Sequence, residues 1–342
     1  MNNQGCIFLE QGINFENNSV TDCCISHHDN RGLPLLIKNY SGGLIDWEEI
    51  FNIKEKRIQR QLEKNIEECD GCYHLGEYKF NNVRKISNFH FTQCRLCNAK
   101  CIYCSKEYSE GGINYDVYPV IKDLIDKGYY LSGGEACFQG GEPLVMQHFD
   151  ELADLLIKNG TVIRVHTSGI KFSPPVSEAL KQNKGTVVIS LDCGTDKTYK
   201  KIKQADRFNN VIENIQKYAH SGADNVIIKY IIIPGINDNL EEIDKFFDVL
   251  VKCGIKTAAL DIELQYARQY EYKYVSQHVY LIADYFEKKA AELNIKVLIY
   301  SFLLYVIQNR KLKKYPFVSI KPLYQLFINL LNDKKKNIAY CR

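Results

Sequence analysis

The chain has 342 residues, 45% hydrophobic and 25% charged, with a formal net charge of +3 and a pI near 8.1. That is ordinary globular composition, long enough to bury a large core without disulfide staples, and its charge is too small for the field of a nucleic-acid surface. The most apolar stretches, 226–233 and 297–307, are too short to span a bilayer. The first residues lack the basic and apolar regions of a secretory signal, so a cytoplasmic protein is expected.

Residues 1–84 contain a Gly-rich stretch, Ser41-Gly42-Gly43, a charged helix expected from about Trp47 to Glu68, and five of the 13 cysteines. They read as a small Cys-rich N-terminal module. From residue 85 strand-like and helix-like segments alternate. Strands are predicted at 85–91, 136–139, 161–166, 186–191, 226–233, 258–262 and 296–300. Helices are predicted at 117–127, 146–158, 176–182, 208–219, 240–251 and 279–293, with Gly128 and Gly160 as stops. Apolar β-runs alternating with helices of this length predict βα units around a parallel sheet, about six of them. The fold class is therefore α/β, a partial (β/α)6 TIM-like barrel over 85–300, with functional residues on the loops that follow the strands. Residues 301–342 form a basic, helix-prone tail in which Leu323, Leu326, Phe327, Leu330 and Leu331 have the spacing of a packed helix face. Its charge reads as a solvated or docking surface, with a membrane surface as a further option.

Thirteen cysteines are many for a reducing compartment, and clustered cysteines there point to metal. Cys97, Cys101 and Cys104 have the spacing C-x3-C-x2-C, with Tyr103 before the last, on a loop after a strand. Three thiolates in eight residues can hold three corners of a cubane and leave one iron open. Cys94 offers an alternative, a four-thiolate zinc site. The loop resembles the signature of the radical S-adenosylmethionine (SAM) superfamily. The resemblance implies a [4Fe–4S] cluster whose open iron is chelated by SAM, reductive cleavage of SAM, and a 5′-deoxyadenosyl radical that takes a hydrogen atom from the substrate.

Further segments fit that resemblance in order. Gly140-Gly141-Glu142-Pro143 resembles the family's Gly-Gly-Glu-Pro motif. The glycines permit close backbone approach, and the Glu142 carboxylate suits the SAM ammonium. Ser132-Gly133-Gly134-Glu135 precedes its strand and lacks the proline. His166-Thr167-Ser168-Gly169 stands where the family often has Thr-Asn-Gly, with Ser168 as a departure. Ser190-Leu191-Asp192 resembles a segment that lies under SAM; Asp192 alternatively caps the next helix. Lys229 interrupts an apolar strand, which is costly unless it is paired or faces a polar cavity, and is expected to point into the barrel mouth, or to lie at a strand edge. Ile236, in Pro234-Gly235-Ile236-Asn237-Asp238, belongs to a loop that resembles the family's adenine-packing loop. These residues are the expected SAM contacts.

Cys69-Asp70-Gly71-Cys72, with Cys6 and Cys23-Cys24 upstream, resembles the auxiliary-cluster modules of the SPASM and twitch type, though those usually follow the barrel. A second iron–sulfur cluster, a zinc site with His27 or His28 as a ligand, or no metal all fit these residues. The auxiliary cysteines and basic tail suggest a radical SAM oxidoreductase or maturase acting on a peptide or protein. The moderate length suggests a small-molecule substrate instead: a sugar, amino acid or nucleoside. A zinc-stabilised binding module is the third possibility. The family resemblance implies an electron donor such as flavodoxin or ferredoxin.

Overall fold

The computed structural model describes residues 4–23, 35–63, 75–104, 111–112, 115–263 and 277–299. The tail at 301–342, with Cys24, His27, His28, Cys69 and Cys72, lies outside them.

A short helix, α1 (Ile7–Gln11), follows strand β1 (Gln4–Gly5), which pairs antiparallel with β5 (Gly76–Glu77). The rest builds one ten-stranded sheet. Its main strands are β2 (Gly12–Phe15), β6 (Asn88–Phe91), β7 (Glu135–Phe138), β8 (Val162–Thr167), β9 (Gly185–Ser190), β10 (Val226–Ile232), β11 (Thr257–Ile262) and β12 (Lys296–Ile299), all parallel in that order. Strands β3 (Ser19–Thr21) and β4 (Leu35–Lys38) continue it antiparallel beyond β2. Because the main strands are parallel, their C-terminal ends share one side of the sheet.

The expected strand–helix alternation is present from β6 onward. Helices α3 (Tyr118–Asp126), α4 (Phe149–Lys158), α5 (Pro174–Lys181), α7 (Phe208–Gly222), α8 (Leu240–Lys252) and α9 (Gln277–Glu292) lie within a few residues of prediction. Helix α6 (Asp196–Lys203) was not foreseen. Its residues carry lysines at Lys197, Lys200, Lys201 and Lys203, which read as loop. A Thr195 cap, which accepts the Thr198 N–H, starts it, and buried Tyr199 and Ile202 anchor it.

One sheet face packs on helices, through contacts such as Phe138 on Phe149 and Tyr230 on Phe246. The alternation of strand side chains puts a different set on the inner face: His90, Arg164, His166, Ser190, Lys229 and Asp261, related through the strand registers. That inner face is far more polar than the outer one.

Within the segment expected to form the N-terminal module over 1–84, the described residues pack on the main sheet. Strand β2 pairs with β6 in register, Gly12 with Asn88 through Phe15 with Phe91. Helix α2 (Trp47–Leu62) buries Trp47 and Phe51 in the main core, and the Trp47 indole donates to Asp123 on α3 at 2.8 Å. This pairing is not legible in the sequence, because β2 is four residues long and buried throughout, so it carries no alternation, and its partner lies about 75 residues downstream.

Candidate active site

The cysteine loop leaves the C-terminal end of β6. It is held on one side by β2, where Thr92 N–H donates to Phe15 at 2.8 Å, and on the other by β7, where Gln139 N–H donates to Phe91 at 3.0 Å. The Gly140-Gly141 turn then lies directly on the loop. Gly141 N–H donates to the Cys94 carbonyl and Glu142 N–H to the Leu96 carbonyl, both at 2.8 Å. A Cβ on Gly141 would sit 2.4 Å from the Leu96 oxygen, and Gly140 has φ +108° with the Cys94 oxygen 2.8 Å from any Cβ. Here the glycines are required by backbone-to-backbone contact with the cysteine loop.

Cys97, Cys101 and Cys104 are each half-buried and in no disulfide. Cys101 and Cys104 lie close enough to Cys97 to influence its charge. Burial pushes the Cys97 thiol up to about 11, with the two neighbouring sulfurs adding to the effect. Cys94 is turned away. It is fully buried, and its thiol points to the carbonyl oxygens of Leu96 at 3.5 Å and Glu142 at 3.7 Å. Among the described residues no three His, Cys, Asp or Glu side chains converge on a single metal ion. Three thiolates suit three corners of a cubane, one on each iron. The donor set therefore fits a [4Fe–4S] cluster on Cys97, Cys101 and Cys104.

Glu142 was expected to receive an ammonium. Its side chain is instead 1% exposed and ties two loops together. One carboxylate oxygen accepts from Thr167 Oγ1 at 2.7 Å and Leu144 N–H at 3.2 Å; the other accepts from Ser168 N–H at 2.6 Å. Burial raises its pKa, and these bonds oppose the rise. Ser168 Oγ continues the chain of contacts by donating to Asn98 Oδ1 at 2.9 Å, inside the cysteine loop. Pro143 is buried at the start of a short 3-10 turn.

Asp192 is also structural in its contacts. It is fully buried at φ +62°, and the next helix is capped by Thr195. Its Oδ1 accepts from Ile231 N–H at 2.9 Å, and its Oδ2 accepts from Tyr103 Oη at 2.6 Å and from the Lys203 ammonium. Lys203 also donates to Tyr103 Oη at 2.8 Å. The Asn237 amide holds the Asp192 carbonyl at 2.8 Å and the Ile231 carbonyl at 2.7 Å, which fixes the loop that carries Ile236. Ser190 stands beside Lys229 on the inner face, and Lys229 Nζ lies 3.9 Å from Asp261. His166 lies on the same face. Burial, with Lys229, Arg164 and His90 around it, pushes its imidazole down to about 3, so it is neutral; its buried Nε2 has no hydrogen-bond partner.

Sequence reasoning missed Asn98, Asn237 and Lys203. Asn237 sits where a turn residue is unremarkable, and Lys203 ends a run of lysines that looks solvated. Of the N-terminal cysteines, Cys6 and Cys23 are half-buried. Cys6 lies near Lys54, a buried lysine on α2 that donates to the Leu9 carbonyl at 3.1 Å and is lowered to about 8 by burial.

A parallel sheet whose strand ends carry a three-thiol loop, a docked Gly-Gly-Glu-Pro turn and a polar inner face is the architecture of a radical SAM domain. The profile of the radical SAM superfamily, whose members use a [4Fe–4S] cluster and SAM, matches residues 93–249, a radical SAM domain within this chain. The GTP 3′,8-cyclase of Clostridium botulinum (strain Okra / Type B1) is 28% identical over 188 residues, 52% of this chain and 57% of that one. The GTP 3′,8-cyclase of Petrotoga mobilis is 31% identical over 164 residues, 45% of this chain and 49% of that one. The chain thus spans about half the length of the curated relatives it matches. The crystal structure of Streptococcus suis SuiB bound to precursor peptide SuiA has the same fold, with a TM-score of 0.50 at 14% identity over 80% of this chain and 57% of that one. No helix among the described residues is long and apolar enough to cross a membrane.

Proposed function

We propose that this chain is a radical SAM enzyme that abstracts hydrogen from a small polar molecule held against the inner face of the sheet. The observation that carries the reading is the cysteine loop itself: Cys97, Cys101 and Cys104 share one site while Cys94 is turned into the protein. When bound, the cluster and SAM supply a 5′-deoxyadenosyl radical by reductive cleavage. The chain's own residues hold the site. The Gly140-Gly141 backbone supports the cysteine loop, and Glu142 joins it to Ser168. We assign Ser168, Ser190, Lys229 and Ile236 to the SAM side of the cavity, with the backbone of Gly140 to Pro143. Glu142 and Asp192 position those elements through internal bonds.

Two observations favour a small molecule. The inner face carries His90, Arg164, Lys229 and Asp261, groups suited to a polar ligand rather than an extended chain, and the curated relatives are named for a reaction of GTP. The peptide reading leaned on Cys69, Cys72 and the 301–342 tail, which lie outside the described residues. The SuiB likeness speaks to fold alone. Cys6 and Cys23, with Cys24, Cys69 and Cys72, remain our proposed ligands for a second metal centre. Strand β5, which begins four residues after Cys72, is paired with β1 next to Cys6.

Anaerobically reconstituted protein should be brown and should form 5′-deoxyadenosine from SAM with a low-potential reductant. Replacing Cys97, Cys101 and Cys104 together by Ala should abolish this; deoxyadenosine at the original rate in that variant overturns the cluster assignment. The low-molecular-weight fraction of a cell extract should stimulate turnover. Stimulation confined to the macromolecular fraction would restore the peptide reading.

A further inference from the structure

Lys203 is 1% exposed and Asp192 fully buried. Desolvating two charges is expensive, and a buried pair of this kind is commonly no more stabilising than a well-packed apolar one. Stability alone does not account for it, and its surroundings suggest what else it does. Tyr103, the third member of the network, lies between two of the cluster cysteines. Its hydroxyl accepts from the Lys203 ammonium at 2.8 Å and donates to Asp192 at 2.6 Å. The same helix end grips the loop through its backbone. Lys100 N–H donates to the Lys203 carbonyl and Ile102 N–H to the Ile202 carbonyl, each at 2.9 Å. The last turn of α6 thus clamps the loop on both sides of Cys101 and places the buried Lys203–Asp192 ion pair behind it.

We infer that Lys203 is a positioning residue for the iron–sulfur cluster, fixing the loop around Cys101 through its backbone and through Tyr103, and setting the cluster's reduction potential by balancing the Asp192 carboxylate buried behind that loop. This rests on the radical SAM reading above. Reduction adds negative charge to the cluster. An ammonium that offsets a buried carboxylate near the cluster favours the reduced state and raises the potential.

The test is a redox titration of the reconstituted full-length protein, followed by electron paramagnetic resonance, for wild type, Lys203→Met, Lys203→Arg and Tyr103→Phe. The midpoint should move to more negative potential in K203M and, by less, in Y103F, and should return close to wild type in K203R. Iron release to a chelator should be roughly 10-fold faster in K203M, as for other lost partners of metal ligands. If K203M fails to fold, Y103F and K203R decide, since Tyr103→Phe keeps the ring and both charges. Wild-type potentials in the variants that hold a cluster would overturn the inference. A wild-type protein with no [4Fe–4S] signal would instead overturn the cluster assignment on which it rests.

Discussion

The ammonium of Lys203 and the hydroxyl of Tyr103 lie 2.8 Å apart and converge on one oxygen of the buried Asp192 carboxylate. Breaking one side of such a pair leaves a charge stranded in the core. Asp192→Asn and Lys203→Met should each cost about 3–5 kcal/mol of folding free energy. The double variant Asp192→Asn with Lys203→Met should lose less than the sum, because the uncompensated charge is gone. Denaturant unfolding of the apoprotein measures all three, and strict additivity would mean that the residues do not act as a pair.

Cys94 and Cys97 are three residues apart and differ in where their thiols point. Cys94→Ala should keep wild-type iron content and deoxyadenosine formation, at a stability cost of about 1 kcal/mol for a small buried thiol. Cys97→Ala should lose both cluster and activity. Equal iron loss in the two single variants would return Cys94 to the ligand set.

Glu142 accepts from Leu144 N–H, Thr167 Oγ1 and Ser168 N–H. In Glu142→Gln one of these donors would face an amide N–H₂ in a buried site. The expected cost is about 1–3 kcal/mol, together with weaker retention of iron, since the link from the Gly-Gly turn through Ser168 to Asn98 in the cysteine loop is lost. Normal unfolding and normal iron retention would show that the carboxylate is not a brace.

His166 gives a pH prediction. Its folded pKa is pushed down to about 3 by burial and neighbouring cations, against about 6.5 in an unfolded chain. Between these values the unfolded state binds the extra proton, so this residue's contribution to stability falls as pH falls from 6.5 toward 3. The slope approaches about 1.4 kcal/mol per pH unit for a single proton. A variant with Gln at this position should show a correspondingly flatter decline in melting temperature over that window, and an unchanged decline would place the titration elsewhere.

The sequence displays the βα framework because each strand from β6 onward has an apolar outer face and each helix a regular apolar stripe. The cysteine loop is equally plain, being local. What could not be read is whether a polar residue near the site touches a ligand or its neighbours. Asp192 and Glu142 sit at strand ends where a cofactor is expected, yet their oxygens are bonded to Tyr103, Lys203, Thr167 and Ser168, residues up to 89 positions away. Lys203 shows the converse, since nothing in its local run of lysines marks it as the one that is buried. These are long-range contacts, and spacing along the chain does not encode them.

Strand β2 covers the flank of β6, and Phe15 accepts the hydrogen bond from Thr92 where the cysteine loop begins. Strand β2 is therefore synthesised long before β6, and its edge away from β3 stays open until the ribosome has passed Phe91. A chain shortened to begin after Phe15 would leave β6 as a bare edge, with unpaired amides next to the thiols, open to pairing with other chains. Any shortening or fusion at the amino end thus bears directly on how the metal site is assembled.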